Sequence, residues 1–243
     1  MSNKWQEYLV SIKKELDVHG DSFLNGKTIS YTMHPGNNFK PLAKDLYDYL
    51  KTNNFDFSSV VEPTYGSPTI LHKGFSLVTL QSLYNIHLIS ERFGSVNNFD
   101  HIVDIGGGYG NLCKMTFDLG FEGKYTIYDF PEVNEVQKKF LDNTCPTKNI
   151  EYKQLQDDWN IKDNSLLIAT YSMSEMPIKD REIISSNLEK FKSIFVIYQK
   201  AFSGMQNKEY FNSLVENHTK FDFNSTSCSL RKSGITILSG EKK

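Results

Sequence analysis

Val103-Asp-Ile-Gly-Gly-Gly-Tyr-Gly110 is the stretch that decides the fold of this chain. Asp104 stands ahead of glycines at 106, 108 and 110, an apolar run from His101 to Ile105 leads into them, and a helical pattern opens directly behind. The stretch predicts a strand, a tight turn and a helix N-terminus. Glycine at 106 permits the backbone angles of the turn, glycine at 108 leaves room for a ligand against the main chain, and glycine at 110 lets the following helix pack on the strand. Lys124-Tyr-Thr-Ile-Tyr128 reads as the next strand, with Asp129 at its carboxyl end, where a carboxylate can accept hydrogen bonds from both hydroxyls of a ribose. Turn and acid together imply a nucleoside-bearing ligand. The spacing is Gly-x-Gly-x-Gly, whereas a dinucleotide turn wants Gly-x-Gly-x-x-Gly, and position 111 is Asn.

From residue 101 onward, apolar runs recur at 101–105, 124–128, 150–155, 165–170 and 193–198, with helical segments between them. That alternation predicts a parallel sheet with right-handed crossovers and helices on both faces. The end of the chain departs from it. Lys220-Phe-Asp-Phe-Asn224 and Gly234-Ile-Thr-Ile-Leu-Ser239 alternate at period two and are joined by Ser225 to Ser233, too short a connection for a helix, so a closing antiparallel hairpin is expected. Ahead of the sheet, residues 3–18 repeat apolar positions at helical spacing (Trp5, Tyr8, Leu9, Ile12, Leu16), and Phe39 to Leu50 does the same. A polar connection carrying His34-Pro-Gly36 lies between them, and a long helical stretch runs from Phe75 to about Phe93. Residues 1–95 are expected to form a helical cap and residues 96–243 the sheet domain, acting as one unit with the site between them.

The chain has 243 residues, enough for a sizeable core, and 27 basic against 29 acidic side chains that are scattered and form no stripe. Nucleic acid is therefore not an expected partner. The N-terminus, Met-Ser-Asn-Lys-Trp-Gln-Glu, lacks the apolar core of a signal peptide, and no stretch approaches a membrane span, so a cytoplasmic protein without a membrane partner is expected. Cys113, Cys145 and Cys228 are too few and too widely spaced for a disulfide framework or a zinc site, and Cys113 is assigned to core packing.

Val103 to Gly110, followed by Ile127-Tyr-Asp-Phe-Pro-Glu-Val133, resembles the first two motifs of the class I S-adenosylmethionine-dependent methyltransferases. The Asp-Phe-Pro-Glu-Val wording resembles the small-molecule O-methyltransferases. The Gly-Gly-Gly-Tyr-Gly turn and Tyr171-Ser-Met-Ser-Glu-Met-Pro177 are similar to the bacterial sugar O-methyltransferases. The resemblance covers roughly residues 60 to 215. It implies a Rossmann-like α/β sheet of seven strands, mostly parallel with a C-terminal antiparallel hairpin, and S-adenosyl-L-methionine as cofactor. It also implies cofactor contacts from Asp104, Gly106, Gly108, Tyr109, Gly110, Asp129 and Phe130. Further along it implies an acid near the adenine amino group, Asp158 or Asp157, and an apolar side chain against the ring from the same loop, Trp159. The alternative for the two acids is a helix cap or turn.

Transfer of a methyl group from sulfonium to an alcohol is an in-line displacement, and an alcohol attacks well only when its proton is removed. Glu175, in the loop after the fourth run, is the first candidate base, with a cap or hydroxyl-binding role as its alternative; His34 and His72, in cap loops, are the others. Glu62 and Tyr65-Gly-Ser-Pro68 read either as pocket lining, by resemblance, or as a plain connection. No Asp, Glu and His cluster has metal-ligand spacing, so no metal is assigned. The expected partners are a small-molecule acceptor and, at most, a second copy of the chain. Two other functions stay open: a nicotinamide-dependent dehydrogenase, and a silent methyltransferase-like subunit that binds without transferring a methyl.

Overall fold

In the computed structural model, which describes residues 3–228, 230 and 234–243, a sheet of seven strands carries the glycine turn. Two short strands, β1 (Ile70–His72) and β2 (Phe75–Ser76), form a separate hairpin. The sheet begins with β3 (His101–Ile105), β4 (Lys124–Tyr128), β5 (Ile150–Lys153), β6 (Ser165–Thr170) and β7 (Ser193–Gln199). A second small hairpin, β8 (Ala201–Phe202) with β9 (Met205–Gln206), follows, and β10 (Phe221–Ser227) and β11 (Ile235–Lys242) complete the sheet. Its order is β10-β11-β7-β6-β3-β4-β5. β3 pairs in parallel with β4 on one side and β6 on the other, so the chain reverses its direction of progress at β3. In such sheets the ligand crevice lies outside the carboxyl ends of the strands at that reversal. β11 inserts antiparallel beside β7, with Thr236 opposite Tyr198, and β10 pairs antiparallel with β11. The predicted strands and closing hairpin are thus present; of the polar connection between the last two, residues 229 and 231–233 lie outside the described residues.

The helices are α1 (Asn3–His19), α2 (Lys27–Met33), α3 (Lys40–Thr52), α4 (Leu77–Phe93), α5 (Asn111–Asp118), α6 (Pro131–Thr144), α7 (Ser172–Glu175), α8 (Ile178–Asn187) and α9 (Asn207–Asn217). By contact density the chain divides into two compact units. One comprises Arg92–Gly106, Gly123–Asp129 and Asn149–Lys243 and holds the whole sheet; the other comprises Met1–Glu91, Gly107–Glu122 and Phe130–Lys148. In the sheet unit, Val103, Ile105, Leu167, Ala169, Ile194 and Val196 meet Ile184 and Leu188 of the α8 region and Phe211 and Leu214 of α9 in one buried cluster. β3 is buried at every position, its polar His101 and Asp104 included, which is why its apolar residues do not alternate with exposed ones. In the other unit, Phe23, Tyr109 and Phe140 pack edge to face.

Two expectations for the N-terminal third change. The polar connection after α1 contains a helix, α2, because the Glu15 carboxylate accepts the Thr28 and Ile29 N–H groups at 2.8 and 3.0 Å and satisfies its first turn. The long helix expected from Phe75 starts at Leu77, since Lys73 and Gly74, with φ of 50° and 87°, turn the chain into the β1–β2 hairpin. Cys113 is buried as expected. No helix among the described residues is long and apolar enough to cross a membrane.

Candidate functional site

The turn after β3 is held by its glycines in conformations that side chains resist: φ is 72° at Gly106, 56° at Gly108 and 98° at Gly110. Gly106 donates its N–H to Tyr128 O at 2.9 Å, and the Ser172 hydroxyl donates to Ile105 O. A Cβ on Gly106 would stand 2.5 Å from Ser172 Cβ. The turn therefore needs glycine here both for its angle and for the approach of the segment that follows β6. At Gly110 the neighbour is Leu141 of α6, 2.9 Å from where a Cβ would be, so this glycine admits a helix two elements later instead of seating α5 on the strand. At Gly108 a Cβ would meet nothing within 4 Å. Gln137, on α6, donates to Gly108 O at 2.9 Å and fixes that carbonyl. Tyr109 is buried, its ring 5.0 Å from Phe140 and 6.0 Å from His34.

Asp104 is 1 % exposed. Its Oδ2 accepts the Tyr125 hydroxyl at 3.0 Å, while Oδ1, shut off from solvent, accepts no hydrogen bond among the described residues. Burial pushes its carboxyl up to about 7, against the pull of the Tyr125 hydroxyl. Asp129 follows the residue that accepts the Gly106 N–H and gives its own N–H to Lys153 O at 2.9 Å, so the second acid stands beside the start of the turn. Phe130 caps α6 and lies 6.1 Å from the Trp5 ring.

The loop after β5 carries Asp157, Asp158 and Trp159. Asp157 accepts the Gln154 N–H at 2.8 Å and so closes a turn, the structural alternative. Asp158 has an exposed side chain, and its carbonyl accepts from the Tyr128 hydroxyl at 3.2 Å and Lys153 Nζ at 2.9 Å. Trp159 is 8 % exposed and stacks on Tyr128 with centroids 4.3 Å apart, its Nε1 bound to Leu155 O at 3.0 Å. Packing within the sheet unit takes that ring face.

After β6 the chain passes through Tyr171, whose φ of 70° is strained for an aromatic residue, into α7. Glu175 ends α7 with Oε1 accepting Gln199 Nε2 at 3.0 Å; burial pushes it up to about 7, and the Gln199 hydrogen bond offsets part of that rise. The loop is clamped from behind. Buried Arg181 donates to Met176 O at 2.8 Å and Ser174 O at 3.0 Å, and Asn207 donates to the same Ser174 O at 3.0 Å. His34 is buried, accepts the Thr69 N–H on Nε2 at 2.8 Å, and is pushed down to about 4 by desolvation, so it is neutral at pH 7. His72 ends β1, with its ring 5.2 Å from Tyr47. Tyr65-Gly-Ser-Pro68 is tied to the segment after α1: Gly66 N–H donates to Asp21 O at 2.9 Å and the Tyr65 hydroxyl to Asp21 Oδ1 at 3.0 Å. Glu62 accepts the Ser76 N–H at 2.9 Å. Among the described residues, no three His, Cys, Asp or Glu side chains gather as a metal would require.

Sequence reasoning missed Gln199, Ser172 and Gln137. Gln199 is the first residue beyond the apolar run 193–198, the position where strand-end reasoning looks for ligand groups, and could have been found that way. Ser172 lay inside a quoted motif without a role, and nothing in the sequence marks Gln137.

No family model matches the sequence, and no curated protein matches it. Solved structures share the fold. The glycopeptide N-methyltransferase MtfA complexed with sinefungin is 11 % identical with a TM-score of 0.53, over 68 % of this chain and 94 % of that one. The methyltransferase domain of bacterial CtHen1 is 12 % identical with a TM-score of 0.52, over 68 % and 97 %. The mitomycin 7-O-methyltransferase MmcR is 14 % identical with a TM-score of 0.51, over 100 % of this chain and 69 % of that one. The chain has the class I methyltransferase fold: a seven-stranded, mostly parallel sheet with an antiparallel C-terminal pair.

Proposed function

We propose that this chain is an S-adenosylmethionine-dependent O-methyltransferase that methylates a hydroxyl of a small polar acceptor, a sugar or sugar derivative, in the synthesis of a surface polysaccharide or glycoconjugate. The observation that carries the reading is the turn itself: three left-handed glycines at the reversal point of the sheet, open space at Gly108, and an acid beside Gly106. The residues fit the cofactor. Open space at Gly108 suits a ligand lying against the main chain, Asp129 suits two ribose hydroxyls, and the unpartnered Asp104 Oδ1 suits a donor brought by the ligand. The structural neighbours agree, since their names are those of methyltransferases and one was complexed with sinefungin, an S-adenosylmethionine analogue. When bound, S-adenosylmethionine supplies a methyl group on a sulfonium, ready for in-line attack.

What remains for the protein is to take a proton from the acceptor hydroxyl. Glu175 takes that role: it is a carboxyl lifted by burial toward neutral pH, where a base can be both largely ionised and basic enough to accept a proton. His34 spends Nε2 on Thr69 and is a weak base, and His72 packs on Tyr47, so both stand behind Glu175. The dehydrogenase reading loses ground to the antiparallel β11 and to the glycine spacing. The sugar acceptor rests on the likeness of Tyr171 to Pro177 to sugar O-methyltransferases. Calorimetric titration tests the core of the proposal: S-adenosylmethionine and S-adenosylhomocysteine should bind, NAD and NADP should not. Binding of a nicotinamide nucleotide without S-adenosylhomocysteine would sink it.

A further inference from the structure

Trp5, in the first turn of α1, meets Phe130, the residue that caps α6, with ring centroids 6.1 Å apart and planes tilted by 40°. Trp5 in turn stands edge-on to Tyr8 at 5.7 Å, and Tyr8 leans on Tyr31 of α2 at 5.9 Å. Trp5, Tyr8 and Phe130 are all partly exposed. α1 packs against α6, so two helices and not a mobile loop bring the rings together.

Phe130 is fixed at its backbone. Its carbonyl accepts the Val133 and Asn134 N–H groups at 3.0 and 2.9 Å, and Pro131 behind it holds it in the extended range, with φ of −68° and ψ of 150°. Two rings that sandwich a third stand about 7 Å apart, twice the roughly 3.5 Å contact distance of carbon atoms. At 6.1 Å and 40°, Trp5 and Phe130 touch each other and leave no slot between them. They form one wall, on which a flat ring can lie.

The chain points to that ring. Phe130 is joined to Asp129, so the two Cα atoms are about 3.8 Å apart. Asp129 is the acid suited to the ribose hydroxyls, and the adenine of S-adenosylmethionine is bonded to that same ribose. A ribose held at Asp129 therefore brings its base within reach of the next residue along the chain. Adenine is flat and uncharged, and it gains most from aromatic area, which is what Trp5 and Phe130 offer. We propose that Trp5 extends the surface of Phe130 and that the adenine of S-adenosylmethionine stacks on this wall, which makes α1 part of the cofactor site. The proposal rests on the cofactor reading and adds to it a residue more than a hundred positions away from the glycine turn and its acid.

Fluorescence and calorimetry on the full chain test it, because Trp5 and Trp159 are the two tryptophans and Trp159 is 8 % exposed and stacked on Tyr128. S-adenosylhomocysteine and adenosine should each change the tryptophan emission, and Trp5→Phe, which leaves Trp159 alone, should lose that change. L-homocysteine should have no effect; a change from it would put the amino-acid end of the ligand at the wall and overturn the proposal. By calorimetry Trp5→Ala should bind S-adenosylhomocysteine at least about fivefold more weakly, the lower end of what a base stacked on one aromatic ring loses to alanine. Trp5→Phe should recover most of that loss, and Val10→Ser, at an exposed position of α1, should leave the affinity unchanged. Equal affinity in wild type and Trp5→Ala, or a full-sized emission change in Trp5→Phe, overturns the proposal while the cofactor reading stands. An equal loss in Val10→Ser overturns it too, since any damage to α1 would then weaken binding. So does an emission change that follows protein concentration and not S-adenosylhomocysteine, because a second copy would then cover the wall. Failure of S-adenosylhomocysteine to bind wild type in calorimetry overturns the cofactor reading itself, and this inference with it.

Discussion

Glu175 and Asp104 show how one physical cause gives two carboxyls different prospects. Burial lifts both to about 7, but Asp104 keeps its Tyr125 hydroxyl deep at the end of β3, whereas Glu175 ends a short helix and meets a side-chain amide. A base works only after it has lost its proton. If Glu175 is the base, turnover on a confirmed acceptor rises with pH through about 7 and levels above it. Glu175→Gln should keep the contact with Gln199 through a neutral group, lower turnover at least about a hundredfold, and leave S-adenosylhomocysteine affinity within about twofold. His34→Ala and His72→Ala should retain most of the turnover. A fully active Glu175→Gln enzyme with an unchanged pH profile would move the base to another residue.

The element that matters most is the turn between β3 and α5, and its glycines separate by what a methyl group would meet. Gly106→Ala sets a Cβ 2.5 Å from Ser172 Cβ on top of an unfavourable φ, so its cost should lie well above the roughly 1–2 kcal/mol of a left-handed residue alone. Gly108→Ala should cost only that conformational part, since nothing lies within 4 Å. The pair therefore predicts opposite patterns: Gly106→Ala unfolds at clearly lower urea, while Gly108→Ala folds well yet binds S-adenosylhomocysteine poorly. Equal stability losses would show that Ser172 yields easily, and tight binding by Gly108→Ala would show that no ligand lies over that glycine. Much of this element was legible beforehand. Asp104, the glycines and Asp129 could be read because strand interiors buried on both faces appear as continuous apolar runs whose ends are easily located. The hairpin at Lys73-Gly74 and the helix Lys27–Met33 could not, because one depends on two left-handed residues and the other on a cap from Glu15, twelve residues ahead of the helix. The same limit hid Ser172, whose role arises from a contact between segments far apart in sequence.

At the scale of the whole molecule, burial along the sheet is graded. β3 is buried at all positions and β6 at nearly all, while β5 is half-buried throughout and β10 shows mostly polar, exposed residues to solvent. Native-state hydrogen exchange should follow that gradient, with β3 and β6 exchanging only on global opening and β5 and β10 by smaller openings. Uniform protection across the sheet would argue that it opens as a single unit. The polar rim of β10 also blunts an edge that could otherwise pair with another chain. The strand order carries one more consequence. β7, Ser193-Ile-Phe-Val-Ile-Tyr-Gln199, is covered on its outer side by β11, which the ribosome makes some forty residues later. Until that strand arrives, a nascent chain presents an uncharged, β-branched and aromatic edge to its surroundings, the kind of segment that nucleates aggregation. Synthesis interrupted before Ile235 should therefore yield insoluble product or a chaperone client, making the closing hairpin a solubility element as well as part of the fold.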